Sequence, residues 1–351
     1  MNSEKSPLSI AVVGAGYWGP NLVRNFARVR GGHLTAVCDL DPQRLAQLKS
    51  SCPDARATTD YDSLLADSAI DAIVLATPAR AHFAMARAAL EAGKHVYVEK
   101  PLCLQSDHAA QLLELSQQRE RVLMVGHLLE YHPAVEYLLD LVERDEIGEL
   151  RYLYSQRLNL GQVRADENAL WSLAPHDISV ANLLLGGNPQ SVTASGQAFL
   201  RPDVHDVVFL TISYPNGRLA HIHVSWLDPH KTRQITLVGS KQMAVFDDMV
   251  PSEKLRLYDK GFDWQTADGL PAATFSADAE TALKVRFGDV TIPHLLTTEP
   301  LLLECQHFVD SIRNGTTPRS DGLDGLQVVQ VLEVAQQSLE QGGTPVQIAQ
   351  G

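Results

Sequence analysis

Glu99-Lys100-Pro101 carries the first chemistry legible in this chain. The three residues follow Val96-Tyr97-Val98, an apolar run with the composition of a buried strand. Open α/β sheets bind ligands outside the carboxyl ends of their strands. A lysine placed there can stabilise a developing alkoxide or relay a proton. Glu99 reads as its partner or as a structural carboxylate. His176 is the second candidate, within Trp171-Ser172-Leu173-Ala174-Pro175-His176-Asp177. Proline suits the first helical position, so the sequence predicts a helix from about Pro175 to Leu185 with His176 in its first turn. The positive end of the helix dipole disfavours imidazolium there. A neutral imidazole can take a proton from a hydroxyl as hydride leaves carbon. Asp177 reads as a helix-end charge, and more often as structural than chemical.

A cofactor signature stands at the other end of the sequence. Gly14-Ala15-Gly16-Tyr17-Trp18-Gly19 matches G-x-G-x-x-G between a predicted strand and a predicted helix. Gly14 makes the tight turn, Gly16 lets backbone approach a pyrophosphate, and Gly19 permits close helix–strand packing. The helix N-terminus favours the negative charge. Asp39, 20 residues after Gly19, can accept hydrogen bonds from an adenine-ribose diol. It would repel a 2′-phosphate, and no Arg or Lys follows it before Arg44. NAD is therefore expected rather than NADP. Thr77-Pro78, with His82 five residues on from Thr77, follows another apolar run and would face that cofactor; for His82 a helix-start role is an equal alternative. Arg157, Asn159 and Arg164 are candidate substrate ligands, since arginines pair bidentately with phosphate or carboxylate. Solvent-facing ion pairs are at least as good an account of each arginine. His127, Tyr131 and His132 divide evenly between cleft lining and core packing. His221 and His223 share a strand face, but two histidines without a third ligand make no metal site, and none is expected.

The elements that must hold these residues alternate through the first 125 or so positions. Strands are predicted at 9–13, 33–38, 72–76, 95–98 and 122–125. Helices are predicted at 20–30, 42–50, 81–92 and 107–119, with Gly93 as a C-terminal cap. That rhythm means a parallel, doubly wound sheet. Beyond it, strand-like segments at 150–160, 191–199, 207–214, 218–226 and 234–238 give an antiparallel or mixed sheet, with Pro215-Asn216-Gly217 as a hairpin turn. Helices return at 300–313 and 322–341. The expected domains are 1–128 and 129–351, with the late helices free to pack back on the first.

Composition closes off other classes. The chain has 351 residues, 45% of them apolar, and a net charge of −13. That charge argues against a nucleic-acid or anionic-membrane surface. Four cysteines without a C-x-x-C pair read as reduced thiols of a cytoplasmic protein. Met1 to Ser9 lacks the apolar core of a signal peptide, and no run approaches the ~20 residues of a membrane span.

Taken together, the glycine loop, Asp39, Ala76-Thr77-Pro78 with His82, Glu99-Lys100-Pro101 and His176 resemble the glucose–fructose oxidoreductase / inositol dehydrogenase (Gfo/Idh/MocA) family. The resemblance spans nearly the whole chain. It implies an N-terminal Rossmann domain plus an α/β domain on a large, mostly antiparallel sheet that joins subunits into dimers or tetramers. It implies NAD(P)-dependent oxidation of a sugar or cyclitol hydroxyl, with Lys100 and His176 handling the proton and a Lys-Pro bond that is often cis. It adds Tyr17, Trp18 and Glu99 to the cofactor residues. Many members carry an acidic residue in D-x-G-x-H, where this chain has Ser172-x-Ala174-x-His176; serine can hydrogen-bond a sugar but cannot act as a carboxylate. The stretches 156–161 and 170–178 resemble a bacterial nucleotide-sugar branch, with UDP-N-acetylglucosaminuronate 3-dehydrogenase the nearest activity. Relatives that recycle bound NAD to cleave glycosides, and non-catalytic cofactor sensors, are the alternatives.

Overall fold

The computed structural model describes residues 6–161, 163–164, 167–265, 271–272 and 282–349. The chain forms two units: Met1–His132 with Thr297–Glu333, and Pro133–Leu296 with Val334–Gly351. The crossing at His132/Pro133 falls a few residues after the expected boundary, because a short turn at Leu128–Tyr131 still belongs to the first unit.

In the first unit, β1 (Leu8–Val13), α1 (Gly19–Phe26), β2 (Gly32–Cys38), α2 (Pro42–Leu48), β3 (Arg56–Thr58), α3 (Tyr61–Ala66), β4 (Ala72–Leu75), α4 (Ala79–Glu91), β5 (His95–Glu99), α5 (Ser106–Gln118) and β6 (Leu123–Gly126) alternate along the chain. The strands form one parallel sheet in the order β3-β2-β1-β4-β5-β6. Its central strands are apolar on both faces because helices cover both; all four residues of β4 are buried. Phe26, Tyr97 and Phe308 pack edge to face at 5.8–6.2 Å between ring centroids, a favoured aromatic geometry. Phe308 belongs to the later segment that returns to this unit.

The second unit begins with α6 (Pro133–Glu143), which the sequence reading left unassigned. There follow β7 (Leu150–Leu160), α7 (Ala169–Leu185), β8 (Ser191–Gln197), β9 (Val207–Ser213), β10 (Leu219–Ser225), β11 (Leu227–Gly239), β12 (Met243–Asp247), β13 (Leu255–Gln265), β14 (Pro271–Ala272) and β15 (Ala282–Thr291). Then α8 (Pro300–Asn314) and the start of α9 (Gly322–Glu340) belong to the first unit, and β16 (Val346–Gln347) closes the second unit's sheet. That ten-stranded sheet runs β14-β13-β12-β11-β7-β10-β9-β8-β16, with β15 on β13. It is antiparallel except for β7 beside β10. The hairpin at Pro215–Gly217 forms as read, with Asn216 and Gly217 at positive φ. α7 covers one sheet face over β7, β9 and β10.

One helix differs from its prediction in a way that matters. α7 begins six residues before Pro175, capped by Asn168, whose Oδ1 accepts from Trp171 N at 3.1 Å. Asparagine is among the strongest N-caps, and it sets the start ahead of the proline. Pro175 therefore lies inside the helix, and His176 is two turns in rather than in the first turn. The dipole fades within one turn, so the argument from the helix end does not apply to His176.

Candidate active site

Every candidate in the first unit lies at the carboxyl edge of the parallel sheet. The loop after β1 is built as its glycines suggest. Gly14 has φ +102°, and a Cβ there would stand 2.5 Å from Ala76 O. A Cβ at Gly19 would come within 2.0 Å of Gly14 O. At Gly16 the nearest atom to such a Cβ is Arg44 Nη1, at 3.8 Å. The backbone is thus tight where the loop turns and open where a ligand would approach. α1 has no side-chain cap, which leaves its first amides to accept an anion. These are the features a dinucleotide requires.

Asp39 follows β2 and fixes this loop. Its Oδ2 accepts from Ala15 N at 2.6 Å and its Oδ1 from Asp41 N at 2.8 Å. Arg44 Nη1 lies 3.9 Å from Oδ2. Tyr17 is 93% exposed. Trp18 turns back to the sheet, and its Nε1 donates to Glu99 Oε1 at 2.6 Å. Burial pushes the Glu99 carboxyl up to about 7, with the Lys100 charge and the indole pulling the other way. Glu99 Oε2 also accepts from Lys100 N at 3.3 Å. Glu99 therefore ties the glycine loop to the end of β5. Lys100 is partly buried, and its bond to Pro101 is cis.

His82 takes the helix-start role that the sequence offered equally with a place facing the cofactor. It is buried, with Nδ1 2.8 Å from Pro101 O and Nε2 2.8 Å from Thr77 O. Both ring nitrogens are taken by backbone, so His82 braces the Thr77-Pro78 turn against the Lys100-Pro101 segment. Thr77 and Pro78 form the β4–α4 turn at the same edge. His127, Tyr131 and His132 are all buried. His127 Nδ1 is hydrogen-bonded to Asp324 Oδ2. Glu130, Asp324 and the fully buried Glu304 on α8 are ionisable neighbours that the reading missed. A signal existed for Glu304: it lies three residues after Leu301 and four before Phe308, on an apolar helical stripe.

In the second unit, Ser172 and His176 are spaced i,i+4 on α7, one turn apart on one face, and both are partly buried. Of the two readings of Arg157, substrate ligand or ion-pair arginine, the structure shows an ion pair, buried rather than facing solvent. Its Nε donates to Asp177 Oδ2 at 2.5 Å and its Nη2 to Asp177 Oδ1 at 3.3 Å, with both residues buried. The fork fastens α7 to β7 beside His176. Asp177→Ala should strand a buried guanidinium and destabilise the unit by about 3–5 kcal/mol, measured by urea unfolding; replacing both partners with apolar residues should recover most of that loss. Arg164 is exposed and pairs with Glu167 at 2.7 Å. Asn159 is partly buried and lies against Gly161. His221 bonds Thr211 Oγ1 at 3.0 Å, and His223 stacks on Phe209.

Comparison with known proteins places both units. Residues 8–127 match the family model described as oxidoreductase family, NAD-binding Rossmann fold, and residues 135–245 match the GFO/IDH/MocA C-terminal domain. UDP-N-acetylglucosamine 3-dehydrogenase of Acidithiobacillus ferrooxidans is 28% identical over 91% of this chain and 93% of its own. Inositol 2-dehydrogenase 2 of Saccharopolyspora erythraea is 31% identical over 62% of this chain and 66% of its own. The solved structure of the Acidithiobacillus enzyme GnnA superposes with a TM-score of 0.79 at 26% identity, covering 96% of this chain and 99% of that one.

Proposed function

The chain belongs to the Gfo/Idh/MocA oxidoreductase family and uses NAD, and from that premise we propose that it oxidises the 3-hydroxyl of a UDP-linked N-acetylhexosamine. The similarity to UDP-N-acetylglucosamine 3-dehydrogenase across more than nine-tenths of both chains carries this reading. The fate of Arg157 supports an uncharged sugar over a uronate. The arginine that could have paired with a uronate carboxylate is occupied by Asp177, and Arg164 by Glu167.

Bound at the carboxyl edge of the parallel sheet, NAD supplies a hydride acceptor. Gly14, Gly16, Gly19 and the first amides of α1 would hold its pyrophosphate, and Asp39 its adenine ribose. Tyr17 and the Thr77-Pro78 turn would flank it. Glu99 holds Trp18 and so keeps the glycine loop in register with β5. Lys100 would lower the energy of negative charge on the substrate oxygen. His176 would take the hydroxyl proton. Ser172, one turn away, would hydrogen-bond the sugar where many relatives have a carboxylate.

A substrate panel tests the reading. Purified protein with NAD and UDP-N-acetylglucosamine should produce NADH, and the corresponding uronate should react more slowly. Faster turnover of free inositol or of the uronate would contradict it. Cofactor choice is a separate expectation. Asp39→Ser should raise kcat/KM for NADP relative to NAD by roughly tenfold or more, since like charges in contact cost several kcal/mol and Arg44 is close enough to take the added phosphate.

The sheet face away from α7 supports a homodimer or homotetramer. Tyr152, Tyr154, Phe209 and Leu219 stand 37–43% exposed on it, and Tyr152 pairs in register with Leu219. An exposed aromatic face of this kind, with His221, Thr211 and His223 between the rings, suits an interaction surface. Tyr154→Glu should shift sedimentation toward the monomer.

A further inference from the structure

Glu304 has no evident use in its place. It lies on the face of α8 that buries Leu301, Cys305 and Phe308, and it is 0% exposed. Among the described residues neither of its carboxyl oxygens has a hydrogen-bond partner. His127 Nε2 is buried in the same condition. Tyr97 Oη stands beside the Glu304 carboxyl without closing a hydrogen bond of ordinary geometry. Glu130 Oε1 lies 3.5 Å from His127 Nδ1, in ionic contact only.

These atoms come from β5, α8 and the turn after β6, and they surround one region. Glu99, His127 and Glu130 all act electrostatically on Glu304. Gly126 passes close to two of them: a Cβ there would stand 2.7 Å from Tyr97 Oη and 3.1 Å from Glu99 Oε2, so any side chain would crowd both polar atoms. Buried polar atoms left unpaired are costly, and internal water is their usual partner where protein supplies none.

We propose that ordered water links Glu99, Glu304 and His127 into a buried proton path from the Lys100 end of β5 to Asp324 at the start of α9. Asp324 is its outlet, with a side chain 16% exposed and hydrogen-bonded to His127. The purpose of the path rests on the dehydrogenase reading. Oxidising a hydroxyl sends a hydride to the cofactor and frees one proton; His176 takes it from the hydroxyl, and Lys100, accepting it in turn, gives up one of its own toward Glu99. Each member of the path gives up one proton as it accepts one, and Asp324 passes the last to solvent. Nothing else changes.

The charge states suit a relay. Burial pushes Glu99 up to about 7, against the pull of Lys100. Burial and the Asp324 charge push Glu130 to about 8. Burial works against charge on His127, but Asp324 and Glu130 outweigh it and raise that imidazole to about 10. Burial and Glu304 raise the Cys305 thiol well up, so it stays protonated. Arg319, which donates to the Glu130 carbonyl oxygen, is the nearby fixed cation.

Infrared spectroscopy of the whole protein tests the path without any substrate. A protonated-carboxyl band lost in Glu304→Gln should exchange in deuterium oxide within the mixing time. It should change frequency in His127→Gln. Exchange only on the timescale of local unfolding would put Glu304 in a dry pocket and overturn the proposal. Should E304Q not fold, carbon-13 glutamate labelling identifies the band and the exchange test runs on the unaltered protein. In single turnover, proton release should keep pace with NADH in the unaltered enzyme and lag behind it in E304Q. Equal pace in E304Q would also overturn the path. Failure to oxidise any sugar would count against the dehydrogenase reading alone, since the infrared result stands apart from it.

Discussion

Lys100→Met should lower kcat for sugar oxidation by roughly 10²–10³-fold, the cost of removing one preorganised donor to a developing oxyanion. Methionine keeps most of the chain length and apolar stem, so the loss reports the ammonium. The cofactor should bind with nearly unchanged affinity, because the hydrogen bonds from Trp18 to Glu99 and from Ala15 N to Asp39 hold the glycine loop. Isothermal titration with NAD and steady-state kinetics separate the two quantities. A loss of NAD affinity that accounts for the whole drop in kcat/KM would make Lys100 a cofactor ligand instead.

His176→Gln should lower kcat by roughly 10²–10⁴-fold, the range for losing a positioned general base. The pH profile separates this from a structural effect. A histidine base loses function as it takes up a proton, so kcat/KM of the unaltered enzyme should fall toward acid. In His176→Gln that acid limb should disappear. The dipole of α7 contributes nothing to this expectation, since Asn168 rather than Pro175 begins the helix. If Lys100 and His176 act on one hydroxyl, the double variant should lose far less than the product of the single losses.

The parallel sheet was legible because its central strands are apolar runs, its helices amphipathic, and its glycine loop lies between the two. The ends of strands carried the site for the same reason. What escaped the reading depended on partners far away in sequence. Arg157 could be read as a ligand or as an ion-pair arginine, and the partner that decides, Asp177, lies 20 residues later and takes its Nε and Nη2. His82 had two equal readings until the Pro101 and Thr77 carbonyls met its two nitrogens. Pro175 looked like a helix start because prolines favour one, and the capping asparagine seven residues earlier was the stronger signal. β7 beside β10 is a parallel pair whose connection passes through α7, β8 and β9, so no local turn could announce it. Glu304 was visible as a charge on an apolar stripe, but its neighbours on β5 and after β6 were not.

The account stands on hydride leaving one carbon of one sugar. UDP-N-acetylglucosamine deuterated at carbon 3 measures that directly, with mass analysis of the NADH formed. The account predicts deuterium in the reduced nicotinamide and slower turnover than with the unlabelled sugar. NADH formed without the label would contradict it, and so would label retained on a sugar that is nevertheless consumed.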